Sequence, residues 1–294
     1  MQNKFHIPGL MTSAVSKGVI DHIVSQTLKP ITETLNIYVS NTGDDETGDG
    51  SRARPFRTLR KANDYIALNY YFAIPNAGAN ITFLSDYDET DQFIFKNVLG
   101  SSVIKINYLM INGNGFNVCF NNVVVNSGYC RFNDVTFVPK KNDTCINFEH
   151  RSAGGINNCK IILSESSVKL NSVIRIAYQS TMSILDRLTV TTDTNQDINN
   201  NNVANFFAVY ANSSFYTPAQ IIFEHAFNCT NAFIYCADSG EFRVATTSKF
   251  VNPNNVKGKK YQVRTCGSLT TYGKGATVIP GNQEGLVQLN GFFS

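Results

Sequence analysis

The chain has 294 residues, 43% of them hydrophobic and 16% charged, with 25 Lys and Arg against 22 Asp and Glu, for a formal net charge of +3. That composition supplies a sizeable core and excludes a disordered chain, and so slight a positive surplus argues against a nucleic-acid or anionic-membrane surface. No run approaches the roughly 18 consecutive apolar residues of a membrane span, so no membrane insertion is expected, and the first residues lack the apolar segment of a secretory signal. The product is therefore expected in the cytoplasm of the cell that makes it. Asn, Phe, Tyr, Val, Ile and Thr are prominent and helix-forming charged stretches are scarce, which predicts an all-β fold. The seven cysteines are odd in number and show no CxxC spacing, so buried thiols are expected, with no disulfide framework, metal site or nucleophile.

Residues 1 to 36 form a segment of their own. Val15, Val19, Ile20, Ile23, Val24 and Leu28 fall at helical intervals and Pro30 stops the run, predicting an amphipathic helix. So short a helix needs a partner, either the body of its own chain or two further copies bundled about an axis.

Residues 37 to 74 read as a strand over Ile37-Tyr38-Val39, a Gly/Asp loop to Gly50, an extended step at Pro55, and a helix capped by Thr58 that buries Leu59, Ala62 and Ile66. Asp45, Thr47, Asp49 and Gly50 fit the first places of a calcium loop, but its twelfth place is Phe56 and not the bidentate Glu that calcium needs, so no metal is expected. Asp86, Asp88, Glu89 and Asp91 read as a solvated turn.

From residue 75 to 264 a six-residue pattern recurs: apolar, Asn or Asp, polar, apolar, polar, apolar. Its copies are Phe132 to Phe137, Ile156 to Ile161 and Leu185 to Val190. A period of about 24 to 29 residues is that of stacked coils. Val135 and Phe137, Cys159 and Ile161, and Leu188 and Val190 are the inward positions of a half-buried strand. The Asn or Asp before them is expected to make a left-handed bend and to hydrogen-bond along the stack as a ladder. Upstream, Ile111-Asn112 and Phe120-Asn121 compete for the same corner, which leaves the register before residue 130 open. Phe223 to Phe227 is a weak continuation, and Thr191 to Asn202 is expected to protrude as a polar loop.

Two segments carry a resemblance. The run from Tyr38-Val39-Ser40 through the Gly-rich loop to Pro55-Phe56-Arg57-Thr58-Leu59 and Ala62 resembles the opening segment of pectin-lyase-like right-handed parallel β-helices. Tyr272-Gly273-Lys274-Gly275-Ala276, Pro280-Gly281-Asn282, Gly285 and Asn290-Gly291-Phe292 resemble the closing segment of phage or prophage tail-fibre and tailspike proteins on that fold, with Asn290 in place of a Gly. The resemblance implies a single-stranded right-handed parallel β-helix over residues 75 to 264, a helix of residues 37 to 74 plugging its first coil, and a Gly-rich cap over residues 265 to 294. It also implies a virion-tail component that forms a homotrimer. Residues 1 to 36 would dock onto other tail or baseplate proteins, and the body would meet a host-surface polysaccharide or glycan.

Solenoid tailspikes often cleave that polysaccharide, which takes two carboxylates about 5 Å or 6.5 to 9.5 Å apart. The outward column of the repeat reads Asp134, Asn158, Arg187 and supplies no such pair. Glu149-His150-Arg151 carries more chemistry, but neighbours in a strand point to opposite faces. Binding without catalysis is therefore expected, with no cofactor. The candidate sugar-contacting residues are Tyr129, Arg131, Asn158, Lys160 and Arg187, which offer one ring and planar or charged hydrogen-bonding groups. A hydrolase or lyase, or a structural spacer or adaptor of the tail, are the alternatives.

Overall fold

The computed structural model describes residues 28–101, 106–140, 143–164, 169–194, 197 and 203–294. The stripe from Val15 to Val24 lies outside the described residues. The fold is all-β and mostly parallel: among the described residues 22 strands join one sheet, two more, Lys29–Ile31 and Tyr70–Phe72, pair separately, and the one α-helix is Leu59–Asn69. Most strands of the large sheet pair in parallel with a strand one repeat earlier and another one repeat later, an arrangement like that of a β-helix solenoid.

Three faces follow one another in every repeat. The first includes Leu35–Val39, Gly78–Phe83, Tyr108–Asn112, residues 129–133 and 153–157, then Thr181–Ile184, Ser214–Thr217 and Glu241–Val244. The second includes Thr136–Phe137, Cys159–Leu163, Arg187–Thr192 and Gln220–Phe223. The third includes residues 122–126 and 144–149, then Leu170–Ile176, Val203–Val209 and Phe227–Cys236. The expected period of about 24 to 29 residues is met only in part, because equivalent positions lie 21, 24, 28 and 33 residues apart as the repeats proceed. Parallel strands fix the height of a coil and leave its corners free to vary in length.

Period-two alternation explains the core. Val135, Phe137, Cys159, Ile161, Leu188 and Val190 are all buried, in parallel register Phe137 to Ile161 to Val190. Phenylalanines fill the interior: Phe132 packs 5.5 Å from Phe137 and 6.2 Å from Phe120, and Phe207 packs 4.8 Å from Phe215 and 5.1 Å from Phe242. Fully burying one such ring contributes about 1.5–3 kcal/mol, so the inward columns dominate stability.

The corner between the first and second faces carries the Asn ladder. Asn133 Nδ2 donates to Asn112 Oδ1 at 3.1 Å and Asn157 Nδ2 donates to Asn133 Oδ1 at 2.6 Å. The left-handed bend falls one residue later than expected, at Asp134 (φ 53°) and Asn158 (φ 50°), which leaves the ladder residues in extended backbone where their amides reach up and down the stack. The third copy is also displaced on its first strand: Ile156 pairs with Ile184, while Cys159 pairs with Leu188, so this corner holds one extra residue and Leu185 is 42% exposed. Upstream both competing segments are corners, but different ones. Ile111 pairs with Phe132 on the first face, whereas Phe120 pairs with Phe137 and Val123 with Ile146, so Asn121-Asn122 turns the chain from the second face to the third.

The corner between the third and first faces has no such signature. Two consecutive residues adopt the left-handed conformation at His150-Arg151, Tyr178-Gln179, Ala211-Asn212, Asp238-Ser239, Thr265-Cys266 and Leu289-Asn290. The second N–H of each pair donates to the first carbonyl of the next, from Arg151 to Tyr178 at 2.9 Å, Gln179 to Ala211 at 2.9 Å and Asn212 to Asp238 at 3.1 Å. Backbone bonds of this kind offset the strain of two adjacent non-glycine left-handed residues. Beneath them Ser152, Ser180 and Ser213 are buried, with Ser152 N donating to Ser180 Oγ at 3.2 Å and Ser180 N to Ser213 Oγ at 3.1 Å. In the following coil the position is Gly240, where a Cβ would stand 2.2 Å from the Val209 carbonyl oxygen.

The helix follows its expected design. Thr58 Oγ1 accepts from Lys61 N at 3.1 Å, and Leu59, Ala62 and Ile66 are buried in the same core as Ile37 and Ile81. Asp45 is structural here: its carboxylate accepts from the N–H groups of Arg57 and Thr58 at 2.8 and 3.0 Å and from the Thr58 hydroxyl at 2.7 Å. At the other end Asn282 clasps the backbone of Gly258 in both directions, at 2.8 and 3.0 Å, which gives the Pro280-Gly281-Asn282 element its use. Thr191 and Thr192 do not protrude. They end the strand Arg187–Thr192 and are buried, because two small hydroxyl side chains satisfy strand geometry as well as a loop.

Candidate functional site

Strand alternation places Asn147, Arg175, Ala208 and Tyr235 in one outward register on the third face. Beside them, at the left-handed corner, His150, Tyr178, Ala211 and Asp238 occupy equivalent places in successive coils. The two columns flank an open groove of about 640 Å³, with Asp143, Asn171 and Asn205 at one end and Tyr178, Tyr210 and Asp238 at the other. A second hollow of about 380 Å³, bordered by Arg151, Gln179 and Asn212, meets it at Tyr178 and Ala211.

Arg175 organises the groove. Its Nη1 donates to Asn147 Oδ1 and to Glu149 Oε2, both at 3.2 Å, and Asn147 Nδ2 donates to the same Glu149 oxygen at 3.0 Å. Its guanidinium carbon also lies 5.6 Å from the Tyr178 ring centre and 5.8 Å from that of Tyr210, within cation–π range. Glu149 is thus engaged by an arginine and an amide. Burial and then the neighbouring Tyr235 push the Tyr210 phenol up to about 12, so it stays a neutral hydroxyl. His150 stacks on Tyr178 with ring centres 4.9 Å apart and planes 8° from parallel, and Arg151 Nε donates to Gln179 Oε1 at 2.9 Å. Such a surface can hold a flat, hydroxyl-rich ligand by stacking and by amide and guanidinium hydrogen bonds.

The five residues singled out from sequence fall in three places outside this groove. Tyr129 and Arg131 lie on the first face, where Arg131 Nε donates to Tyr129 Oη at 3.0 Å and its guanidinium sits 5.0 and 5.5 Å from the rings of Tyr129 and Tyr108. Asn158 and Arg187 continue the outer ladder: Asn158 donates to Asp134, and Arg187 Nε donates to Asn158 Oδ1 at 3.1 Å. Lys160 points from the second face in register with Thr136 and Thr189. The structure brings Tyr129 to Arg131 and Asn158 to Arg187.

The acidic run is not a solvated turn. Tyr87–Phe95 is a strand with a register shift between Glu89 and Gln92; Asp86 lies just ahead of it, Asp88 and Asp91 are exposed on it, and Glu89, in register with the inward Phe120, is half-buried. Asp86 accepts from Asn117 N at 2.9 Å, Asp88 meets Lys140 Nζ at 3.4 Å and Glu89 accepts from Tyr87 Oη at 2.8 Å. They line another groove of about 640 Å³ with Asp45, Arg57 and Arg60.

Glu149-His150-Arg151 also departs from expectation. The rule that neighbours point to opposite faces assumes extended backbone, and His150 and Arg151 have φ of 55° and 64°. Both are exposed, on the same corner. Sequence reasoning missed Arg175, Tyr178, Tyr210 and Ala211. The available signal was the Ser or Gly that follows each corner pair, at Ser152, Ser180, Ser213, Gly240, Gly267 and Gly291. The buried thiols of Cys130, Cys145, Cys229 and Cys236 are pushed up by desolvation, and among the described residues no cluster of His, Cys, Asp and Glu could hold a metal ion. No protein-family model, curated protein or solved structure matches this chain.

Proposed function

We propose that this chain is a right-handed parallel β-helix protein of the phage or prophage tail-fibre and tailspike type, and that it binds a host-surface carbohydrate without converting it. The observation that supports this reading is the third-face groove. An arginine ordered between an amide and a carboxylate and the amides of Asn171 and Asn205 are presented there on parallel strands, with Tyr178 and Tyr210 at the corner just beyond the strand ends. Rings supply a stacking platform, planar amides read hydroxyl pairs, and the strands and their corner hold both at fixed spacing. In this reading the protein is a homotrimer in the virion tail, with residues 1 to 36 docked on another tail or baseplate protein.

The test is retention on a glycan array and on surface polysaccharide purified from candidate hosts. The chain should be retained, and Tyr178→Ala with Tyr210→Ala should lower affinity at least tenfold while the melting temperature stays within a few degrees. Absence of any retained glycan defeats the reading. A second reading, a polysaccharide depolymerase, is favoured by the gathering of Asp86, Asp88 and Glu89 in one groove. Release of reducing ends, or of an unsaturated uronate, from a bound polysaccharide would decide for it.

A further inference from the structure

The corner column that stacks His150 on Tyr178 is interrupted one coil later. Backbone bonds between successive corners hold the first residues of each pair in line, from Tyr178 O to Arg151 N and from Ala211 O to Gln179 N. The next place in the stack therefore belongs to residue 211, and alanine there has only a Cβ. One coil's rise is about 4.8 Å, which is also a comfortable ring-stacking distance. His150 covers one face of Tyr178 and the Arg175 guanidinium carbon lies 5.6 Å from the ring centre, yet Tyr178 remains 47% exposed and borders both hollows together with Ala211. The two hollows described above meet at this point.

We propose that the gap over Ala211 is a subsite for one neutral pyranose ring, which stacks on Tyr178 as the missing member of the column. This rests on the carbohydrate-binding reading and specifies its ligand. A pyranose offers what the gap lacks: an apolar C–H face for Tyr178 and equatorial hydroxyls for the groups around the rim. Gln179 and Asn212 bring amides that donate and accept, and Asp238 closes the far side one coil on. The joined hollows are lined by Asp143 and Asp238 against Arg151 and Arg175, and Arg175 is already engaged by Glu149 beside them, so the carboxylates outnumber the guanidiniums three to two. With no excess of positive charge, the site suits a neutral hexose or N-acetylhexosamine better than a uronate or sialate.

The full chain is applied to an array of neutral hexose and N-acetylhexosamine oligomers and of uronate-containing and sialylated ones. The best-bound member is then titrated by tyrosine fluorescence, for which the absence of tryptophan leaves a clear window. Ala211→Tyr fills the gap with a ring that this corner already accepts at Tyr178, whose φ is 56° against 50° at Ala211. Neutral glycans should be preferred, with affinity lost at least tenfold in Ala211→Tyr and in Tyr178→Leu and kept within about twofold in Ala211→Gly. Full affinity in Tyr178→Leu, or in a folded Ala211→Tyr, overturns the subsite and leaves carbohydrate binding standing. A preference for acidic glycans overturns the ligand class. No binding by the parent chain to any glycan overturns both readings together.

Discussion

The two best-defined corners of the parallel sheet solve one problem in opposite ways. Between the first and second faces, side chains make the bonds from coil to coil, so residue identity is constrained: Asn112, Asn133 and Asn157 form an amide ladder. Between the third and first faces the backbone makes them, through paired left-handed residues whose N–H and C=O groups meet directly. There the side chains are released from structural duty, and the column reads His, Tyr, Ala, Asp, Thr, Leu. A corner held by its backbone can vary its side chains at little cost to the fold, and the groove proposed to bind carbohydrate borders that corner.

The sharpest way to break this comparison is to disturb what both corners share. Phe137→Asp would place an unpaired charge between Phe132 and Phe120 and should destabilise the chain by about 4 kcal/mol or more, read as loss of a cooperative melt. Asn133→Ala removes a residue bonded both above and below, and should cost about 1–3 kcal/mol in denaturant unfolding. By contrast, Gln179→Ala at the backbone-held corner deletes one exposed bond to Arg151 and should stay within about 0.5 kcal/mol. Equal losses for Asn133 and Gln179 would erase the distinction.

A smaller effect sharpens the chemistry of the groove. Burial raises the Tyr210 phenol from its ordinary value of 10.0 to about 12. The folded state therefore holds its proton more tightly than the unfolded state does. The stabilisation is complete below pH 10 and is lost as pH rises toward 12. Tyr210→Phe should flatten that part of the alkaline stability profile, and an unchanged profile would show that the phenol is not desolvated.

How much was legible follows from which atoms carry the information. Val135, Phe137, Ile161 and Val190 were readable because an inward position demands an apolar side chain, and the Asn ladder because only side-chain amides can build it. Thr58 with Leu59, Ala62 and Ile66 was readable because a cap and a helical stripe are local. Asp88, Glu89 and Asp91 were misread as part of a turn because a charge run looks the same on a solvated loop and on a strand. Leu185 was misread because a one-residue insertion at a corner leaves the pattern of the following strand intact.

By itself the sequence determined that the chain is all-β, that it repeats, which residues face inward, and where a helix begins. Those properties depend on hydrophobic periodicity and on side-chain caps, which are written residue by residue. Only the tertiary structure decided which corners stack and therefore that Arg175, Tyr178, Tyr210 and Ala211 meet. They lie in different coils, and the bonds that align those coils are made by the backbone of the corner pairs and the Ser hydroxyls beneath them, so the trace left in the sequence is only the Ser or Gly that follows each pair.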